Sequence, residues 1–416
     1  MSLDASKSRR LYDNHGSHVA FDSASMRERL KGFCLKPAVA HGAKLSIAIG
    51  GATLIGSALI LPQLMWASVL LVSFLMISLG LAGLLMIAFA YLTVAGWSTV
   101  LRRINEAMSS LLIPGLIGIA AVLILRPSLY PWISPQAGDH PLIGFKGYWL
   151  NHANWLIRAA VYAAIWLTFG FVLRWNSRRQ DADGLVSHTR WNIAISAVFV
   201  ICFSLSYWLA SVDWLMSLEP HWYSTMYGVY HFAGLLSGGV ACTIVMAVLL
   251  RNHGPLRGIV KEDHLHDLGK LLLAFTTFWA YIWFSQYMLI WYGNIPEETG
   301  HFIVRTSGLW MPLFYLNVAL NWAIPFLALL PRAGKRDGSF LLMIALVVLV
   351  GRALDLYLSI IPSVSPTTPL AGLAPLLGAI LLGLGVSILV LGKALGRSAL
   401  VPLKDPYLQE SLHHHI

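Results

Sequence analysis

Stretches of about 20 mostly apolar residues recur along this chain, and that is the length needed to cross roughly 30 Å of hydrocarbon. Ten segments qualify, at approximately 45–61, 65–95, 108–125, 152–174, 191–211, 222–250, 267–291, 308–330, 340–361 and 372–395. The run from Met65 to Tyr91 is too continuously apolar for a helix of a soluble core. Hydrocarbon leaves unpaired backbone groups without water, so only helices or a closed barrel can cross it. The short alternating segments of a barrel are not seen. Charged residues make up 12% of the chain, about half the usual share. The expectation is an all-α integral membrane protein with a leading segment 1–44, a ten-helix membrane domain 45–395 and a tail 396–416.

Lys and Arg fall on alternate connections. The leading segment carries Lys7, Arg9, Arg10, Arg27, Arg29, Lys31, Lys36 and Lys44. The same side takes Arg102 and Arg103, then Arg174, Arg178, Arg179 and Arg190, then Arg251, Arg257, Lys261 and Lys270. It also takes Arg332, Lys335 and Arg336, and in the tail Lys393, Arg397 and Lys404. The other side has only Arg126, Lys146 and Arg305. Cytoplasmic loops are enriched in Lys and Arg, so both termini are expected to be cytoplasmic. The net charge of +10 then reflects topology and anionic lipid, not nucleic acid. The polar, basic first 44 residues do not read as a signal peptide. His413, His414 and His415 read as a solvated tail rather than a metal site, and Cys34, Cys202 and Cys242 have no metal or haem spacing.

Short connections make sequential helices antiparallel neighbours. The expected architecture is two four-helix bundles, helices 2–5 and 6–9, flanked by helices 1 and 10. The longest outer connection, about 126–151, contains Pro127, Pro131, Pro135, Pro141 and Trp132 and is expected to form an ordered cap.

Two arginines lie inside spans, Arg158 and Arg352. An arginine at mid-helix costs about 2.5–3.5 kcal/mol on insertion scales, so each needs a partner or a wet cavity. Asp355 follows Arg352 at i+3, on the same helix face. Either a structural ion pair or a functional site fits that spacing. At 1.5 Å per residue, Arg158, Asp355, His231 and Gln286 lie roughly 10, 9, 13 and 8 Å from the outer ends of their helices. That clustering favours a half-channel opening outward over a carboxylate wire across the membrane. His231 is the one histidine deep in a span, whereas a transmembrane b-haem needs two axial ligands. A hydrogen-bonded or proton-handling role suits it better. The outer connections add Asp213, Glu219, His221, Glu297 and Glu298, mixed with aromatics. They read either as an interfacial belt that includes Trp214, Trp222 and Trp291, or as a docking surface or the rim of a site.

The stretches Asp213-Trp-Leu-Met-Ser-Leu-Glu-Pro-His-Trp222, Ser224-Thr-Met-Tyr-Gly228 and Phe284-Ser-Gln-Tyr-Met-Leu-Ile-Trp-Tyr-Gly-Asn-Ile-Pro-Glu-Glu-Thr299 resemble the membrane subunits of alternative complex III. So do the Asn151–Arg158 and Gly269–Phe275 segments. That complex is a bacterial quinol oxidoreductase with two polysulfide-reductase-type (NrfD-like) integral subunits, and this chain is similar to the shorter one. The resemblance implies a non-haem subunit in the bacterial cytoplasmic membrane. Its implied partners are the larger NrfD-like subunit, an iron–sulfur subunit, multihaem and monohaem cytochromes, and in some assemblies a terminal oxidase. The implied small molecules are a quinone (menaquinone or ubiquinone) and lipids, with no covalently bound cofactor. Within that frame Asp355 is expected to accept a proton, Arg352 to hold it ionised, and His231 or Gln286 to hydrogen-bond, with Arg158 in the same region. Two other readings fit the residues: a secondary transporter with a buried charged site, although matched broken helices are not evident, and a purely structural membrane anchor.

Overall fold

The structure, a computed structural model, describes residues 30, 33–133, 144–366 and 369–415. The described residues are helical without a strand, and ten helices are long and apolar enough to cross a membrane. These are α1 (Pro37–Ile60), α2 (Pro62–Leu92), α3 (Gly96–Leu125), α4 (His152–Asp183) and α5 (Ser187–Trp214). They continue as α6 (Tyr227–His253), α7 (Glu262–Gly293), α8 (Trp310–Leu329), α9 (Gly338–Val364) and α10 (Leu373–Leu395). The chain is a multi-pass membrane protein.

Local chemistry sets many of the boundaries. Pro37 and Pro62 occupy first-turn positions, where no backbone N–H is needed. The side chains of Asn151 and Asp337 cap α4 and α9 by accepting from backbone N–H groups two and three residues on. Gly184 closes α4 at φ 75°.

Several helices outrun their apolar segments, because a charge ends an apolar window without ending a helix. The first begins at Pro37, so Lys44 lies inside α1 and not in a leading segment. The third begins at Gly96. Arg102 and Arg103 are therefore buried helical residues rather than loop residues. Arg174, Arg178 and Arg179 stand on the continuation of α4. Basic residues from Lys7 to Arg29, and Lys31, lie outside the described residues, as do Pro135 and Pro141. The described part of the cap, around Pro127–Ile133, is tied down where the Tyr130 hydroxyl donates to the Trp214 carbonyl at 2.9 Å.

The two most buried helices, α2 and α6, pack on each other. Around α2 lie α3, α5, α9 and α10; around α6 lie α5, α7 and α9. Helix α4 packs on α5, α8 on α7 and α9, and α1 along α10 at the periphery. Close approach depends on small residues. A Cβ at Gly83 of α2 would stand 2.5 Å from the Asn105 carbonyl oxygen of α3.

The tail is docked, not solvated. Leu400, Val401 and Leu408 are buried, and Asp405 pairs with the buried Arg102. Ser411 accepts a hydrogen bond from His264 of α7 at 3.0 Å through its carbonyl, and His414 stands 2.7 Å from Asp267. Arg102 explains the docking, since a cation removed from water needs a counter-charge and the tail supplies it.

Breaking a buried pair by removing one partner costs about 3–5 kcal/mol. Asp405→Asn is therefore expected to lower the thermal unfolding midpoint of the detergent-solubilised chain clearly, whereas Glu297→Gln, at an exposed site, leaves it near wild type. Equal midpoints would show that the tail contact does not hold the fold.

Candidate functional site: a buried charge centre

Helix α9 carries the centre. The i, i+3 spacing places Arg352 Nη1 2.9 Å from Asp355 Oδ2, with side-chain exposures of 4% and 0%. The other carboxylate oxygen, Oδ1, accepts from the Tyr230 hydroxyl of α6 and, at 2.8 Å, from Asn317 Nδ2 of α8. Asn321 Nδ2 holds Asn317 by its side-chain oxygen (2.8 Å) and its carbonyl (3.0 Å). Helix α8 takes a π-helical turn at Ala319–Ala323. Pro325 just beyond it lacks the N–H that would bond the Asn321 carbonyl, and π-turns of this kind recur at functional sites. Two glycines make room. A Cβ at Gly234 would overlap the Arg352 guanidinium, and one at Gly351 would stand 2.9 Å from Asn321 Nδ2.

The contact between Arg352 and Asp355 is close but not aligned as a hydrogen bond. Nη1 and Oδ2 have no hydrogen-bond partner among the described residues. Beside them is an enclosed cavity lined by Phe74, Ser78, Tyr207, His231, Gly234 and Arg352, among others. Its free space of about 10 Å³ for a water centre suits a single water. His231 is 1% exposed, and neither ring nitrogen has a hydrogen-bond partner among the described residues. Across the cavity Ser78 and Tyr207 share a hydrogen bond of 2.9 Å.

From Asp355 a polar line runs along α9 away from the docked tail. Ser359 and Ser363 follow at i+4 and i+8, on the same face, over about 12 Å of rise. Ser359 Oγ donates to the Asp355 carbonyl at 2.8 Å, and Ser363 Oγ donates to Glu219 Oε1 at 2.6 Å. Arg305 Nη2 donates to the same Glu219 oxygen at 2.9 Å and to the Ser359 carbonyl at 3.3 Å. His301 Nδ1 meets Glu219 Oε2 at 2.9 Å, and its ring stacks on Trp222 with centroids 3.9 Å apart. Burial and the Arg305 cation push the His301 ring down to about 4, against the pull of Glu219. Burial alone would raise the Glu219 carboxyl, but Arg305 and His301 outweigh it and hold the group below the usual carboxylate range.

The expected site residues divide between several places. Arg158 does not join Arg352, Asp355 and His231. It forks onto Asp213, Nε to Oδ2 at 2.8 Å and Nη2 to Oδ1 at 2.9 Å. Tyr162 and Trp149 donate to the same carboxylate at 2.9 and 2.8 Å. Asp213 is fully buried, not a surface residue at the helix mouth, because Arg158 one helix away requires it. Gln286 stands apart from the centre and donates to Ser224 at 3.1 Å. Glu219 is folded inward by Arg305, an interior cation rather than a loop charge. His221 and Glu297 are exposed and Glu298 is half-buried. Trp214 and Trp222 are core residues, and Trp291 is exposed.

Sequence reasoning missed Glu106. It is buried in α3, where it accepts from Arg103 and, at 2.7 Å, from Ser177. Arg103 also reaches Asp181. The i, i+3 spacing of Arg103 and Glu106 was a usable signal. Starting the third span at residue 108 hid it. The three cysteines are free, and among the described residues no group of three or more His, Cys, Asp or Glu could hold a metal ion.

The His301 shift carries a pH signature. The unfolded ring binds a proton near its ordinary 6.5 and the folded ring only near about 4, so stability is full above about 6.5 and drains as pH falls toward 4. At 1.36 kcal/mol per pH unit the loss reaches about 3 kcal/mol. Glu219, held low, adds a further loss below its ordinary value of 4.5. Thermal melts across this window are expected to fall for the wild type and to fall less steeply for His301→Gln; matching curves would remove His301 as a cause.

Comparison with protein-family models gives no match, and comparison with curated proteins gives none either.

Proposed function

We propose that this chain is a non-haem membrane subunit of a quinol-oxidising complex and that its Arg352–Asp355 centre takes up and releases protons. One observation carries the reading: Asp355 Oδ2 and both His231 ring nitrogens have no hydrogen-bond partner among the described residues and lie beside a water-sized cavity, while Ser359 and Ser363, each bonded to a main-chain carbonyl one turn back, continue the polar face of α9 toward Glu219. In this reading Asp355 Oδ2 is the proton acceptor, since it alone of the two oxygens has no hydrogen-bond donor aligned on it among the described residues. Arg352 supplies the counter-charge, and Tyr230 and Asn317 orient the carboxylate. His231, facing the water-sized cavity, is the next group a proton reaches. The cavity favours a proton over a quinone ring, because ligand pockets ordinarily take about 300–1,000 Å³.

The further parts of the proposal rest on the sequence resemblance and on charge. Helices α2–α5 and α6–α9 form two four-helix groups with α1 and α10 outside, an arrangement that the packing of α2, α6 and their neighbours supports. Both termini face the bacterial cytoplasm, as the Lys/Arg asymmetry supports. The quinone, menaquinone or ubiquinone, sits with the larger NrfD-like subunit. The iron–sulfur and cytochrome subunits carry the electrons, to a soluble cytochrome or a terminal oxidase.

The saturated Arg158–Asp213 pair favours a second, purely structural role for part of the chain. The two roles separate by mutation. Asp355→Asn in the assembled complex is expected to reduce quinol-driven proton release in proteoliposomes by about tenfold or more. Tyr230→Phe is expected to have a smaller effect, and Asp213→Asn to leave release intact in whatever complex assembles. Unchanged proton release with Asp355→Asn in assembled complex would overturn the proposal in favour of a structural anchor. A transporter is less consistent with the fold, since the interrupted helices, α3 and α8, do not hold matching places in the two groups.

A further inference from the structure

The connection between α6 and α7 lies at the end of the molecule where the tail docks, and it builds a basic pocket. Arg251 comes from the last turn of α6, Arg257 from the connection, and Lys261 from the residue before α7. All three line one open cavity of about 760 Å³, together with Glu262, Asp263 and His415 among others. The connection is not a loose run of charges. Leu256, Ile259 and Val260 are buried beneath it, and Gly258 turns the backbone at φ 81°. The cations therefore share a rim set by the fold. With three cations against two carboxylates, the lining stays net positive. Asp263 is engaged by Arg336 at 2.5 Å, and Glu262 is a solvent-facing side chain 3.9 Å from Arg251. Leu249 precedes the pocket-lining Asn252 by three residues, on the same face of α6, and is 47% exposed, so an apolar flank of α6 leads up to the cavity.

We infer that this pocket binds a phosphate group, and that its source is the headgroup of an anionic phospholipid. Basic pockets between transmembrane helices on the cytoplasmic side are suited to anionic headgroups. An acyl chain has the flank of α6 to lie along, whereas a soluble phosphate has no use for it. The inference does not depend on the proton reading, since the pocket lies at the opposite end from the Glu219 cluster.

The test uses the full chain in detergent and counts tetraoleoyl cardiolipin bound by native mass spectrometry, with a parallel titration of inorganic phosphate. The variant Arg251→Gln/Arg257→Gln/Lys261→Gln is compared with Arg190→Gln/Lys393→Gln/Arg397→Gln, which removes the same charge from exposed sites elsewhere. Pocket variants are expected to bind cardiolipin about a hundredfold more weakly, roughly fivefold per side chain, and the control variant to bind as wild type. Should the triple variant unfold, Lys261→Gln alone is expected to weaken binding about fivefold. Inorganic phosphate that binds and is lost in the same variants, with cardiolipin unaffected, would keep the phosphate site but overturn the lipid source. Equal cardiolipin loss in the pocket and control variants, or no loss of either cardiolipin or phosphate in the pocket variants, would overturn the site.

Discussion

A charge inside hydrocarbon must find a counter-charge, and in this chain that requirement reaches across helices. Arg102 of α3 takes Asp405 from the tail, Arg103 takes Glu106 and Asp181, Arg158 of α4 takes Asp213 of α5, and Arg305 takes Glu219. Such pairs contribute little net stability against apolar substitutes, yet they are costly to break. Their use is register. An apolar helix surface can slide against another with modest loss, but a guanidinium forked onto a carboxylate fixes depth and rotation together. Arg305 shows the effect on a connection, since it binds the short helix Pro296–Arg305 to the carbonyls of Leu358 and Ser359 on α9.

The pairs differ in how completely they are satisfied, and that difference separates scaffold from candidate chemistry. Asp213 receives four donors from three side chains, which uses the accepting capacity of a carboxylate. It has no position left for a proton or a water. Asp355 has two donors on one oxygen, while the other faces Arg352 at 2.9 Å without hydrogen-bond alignment. Two carboxylates, each buried and each beside an arginine, thus have different capacities for exchange. Burial alone would not have distinguished them.

Sequence patterning made the ten helices legible because hydrocarbon imposes length and polarity on each crossing. It also made the Arg352–Asp355 pair legible, since i, i+3 neighbours on one helix meet without tertiary knowledge. Arg158 and Asp213 were both visible, but their meeting depends on how α4 lies against α5, which no local spacing encodes. Asp213 looked like a surface residue because it ends an apolar stretch, and Glu106 was passed over because it precedes one. Both errors share a cause: helices run past their apolar cores wherever paired charges let them. The serine steps on α9 were readable as an i+4 ladder once Asp355 was taken as their origin. Their terminus at Glu219 was not, because it depends on Arg305 turning inward.

The size of the space around His231 limits what the centre can do under the proposed function. One water can accept a proton from a neighbouring group and pass it on, but it cannot seat a quinone ring. A centre of this size has no place for an electron carrier of its own, so coupling to quinol oxidation would have to be electrostatic or conformational, through helices shared with a redox partner. Helix α6 is placed for that, because it carries Tyr230 and His231 at the centre and packs on α2, α5, α7 and α9. A sub-ångström shift of α6 would move the Tyr230 donor relative to Asp355 while leaving the Asn317 contact from α8 in place. The hydrogen bonding of the carboxylate would then respond to a neighbour that never touches it.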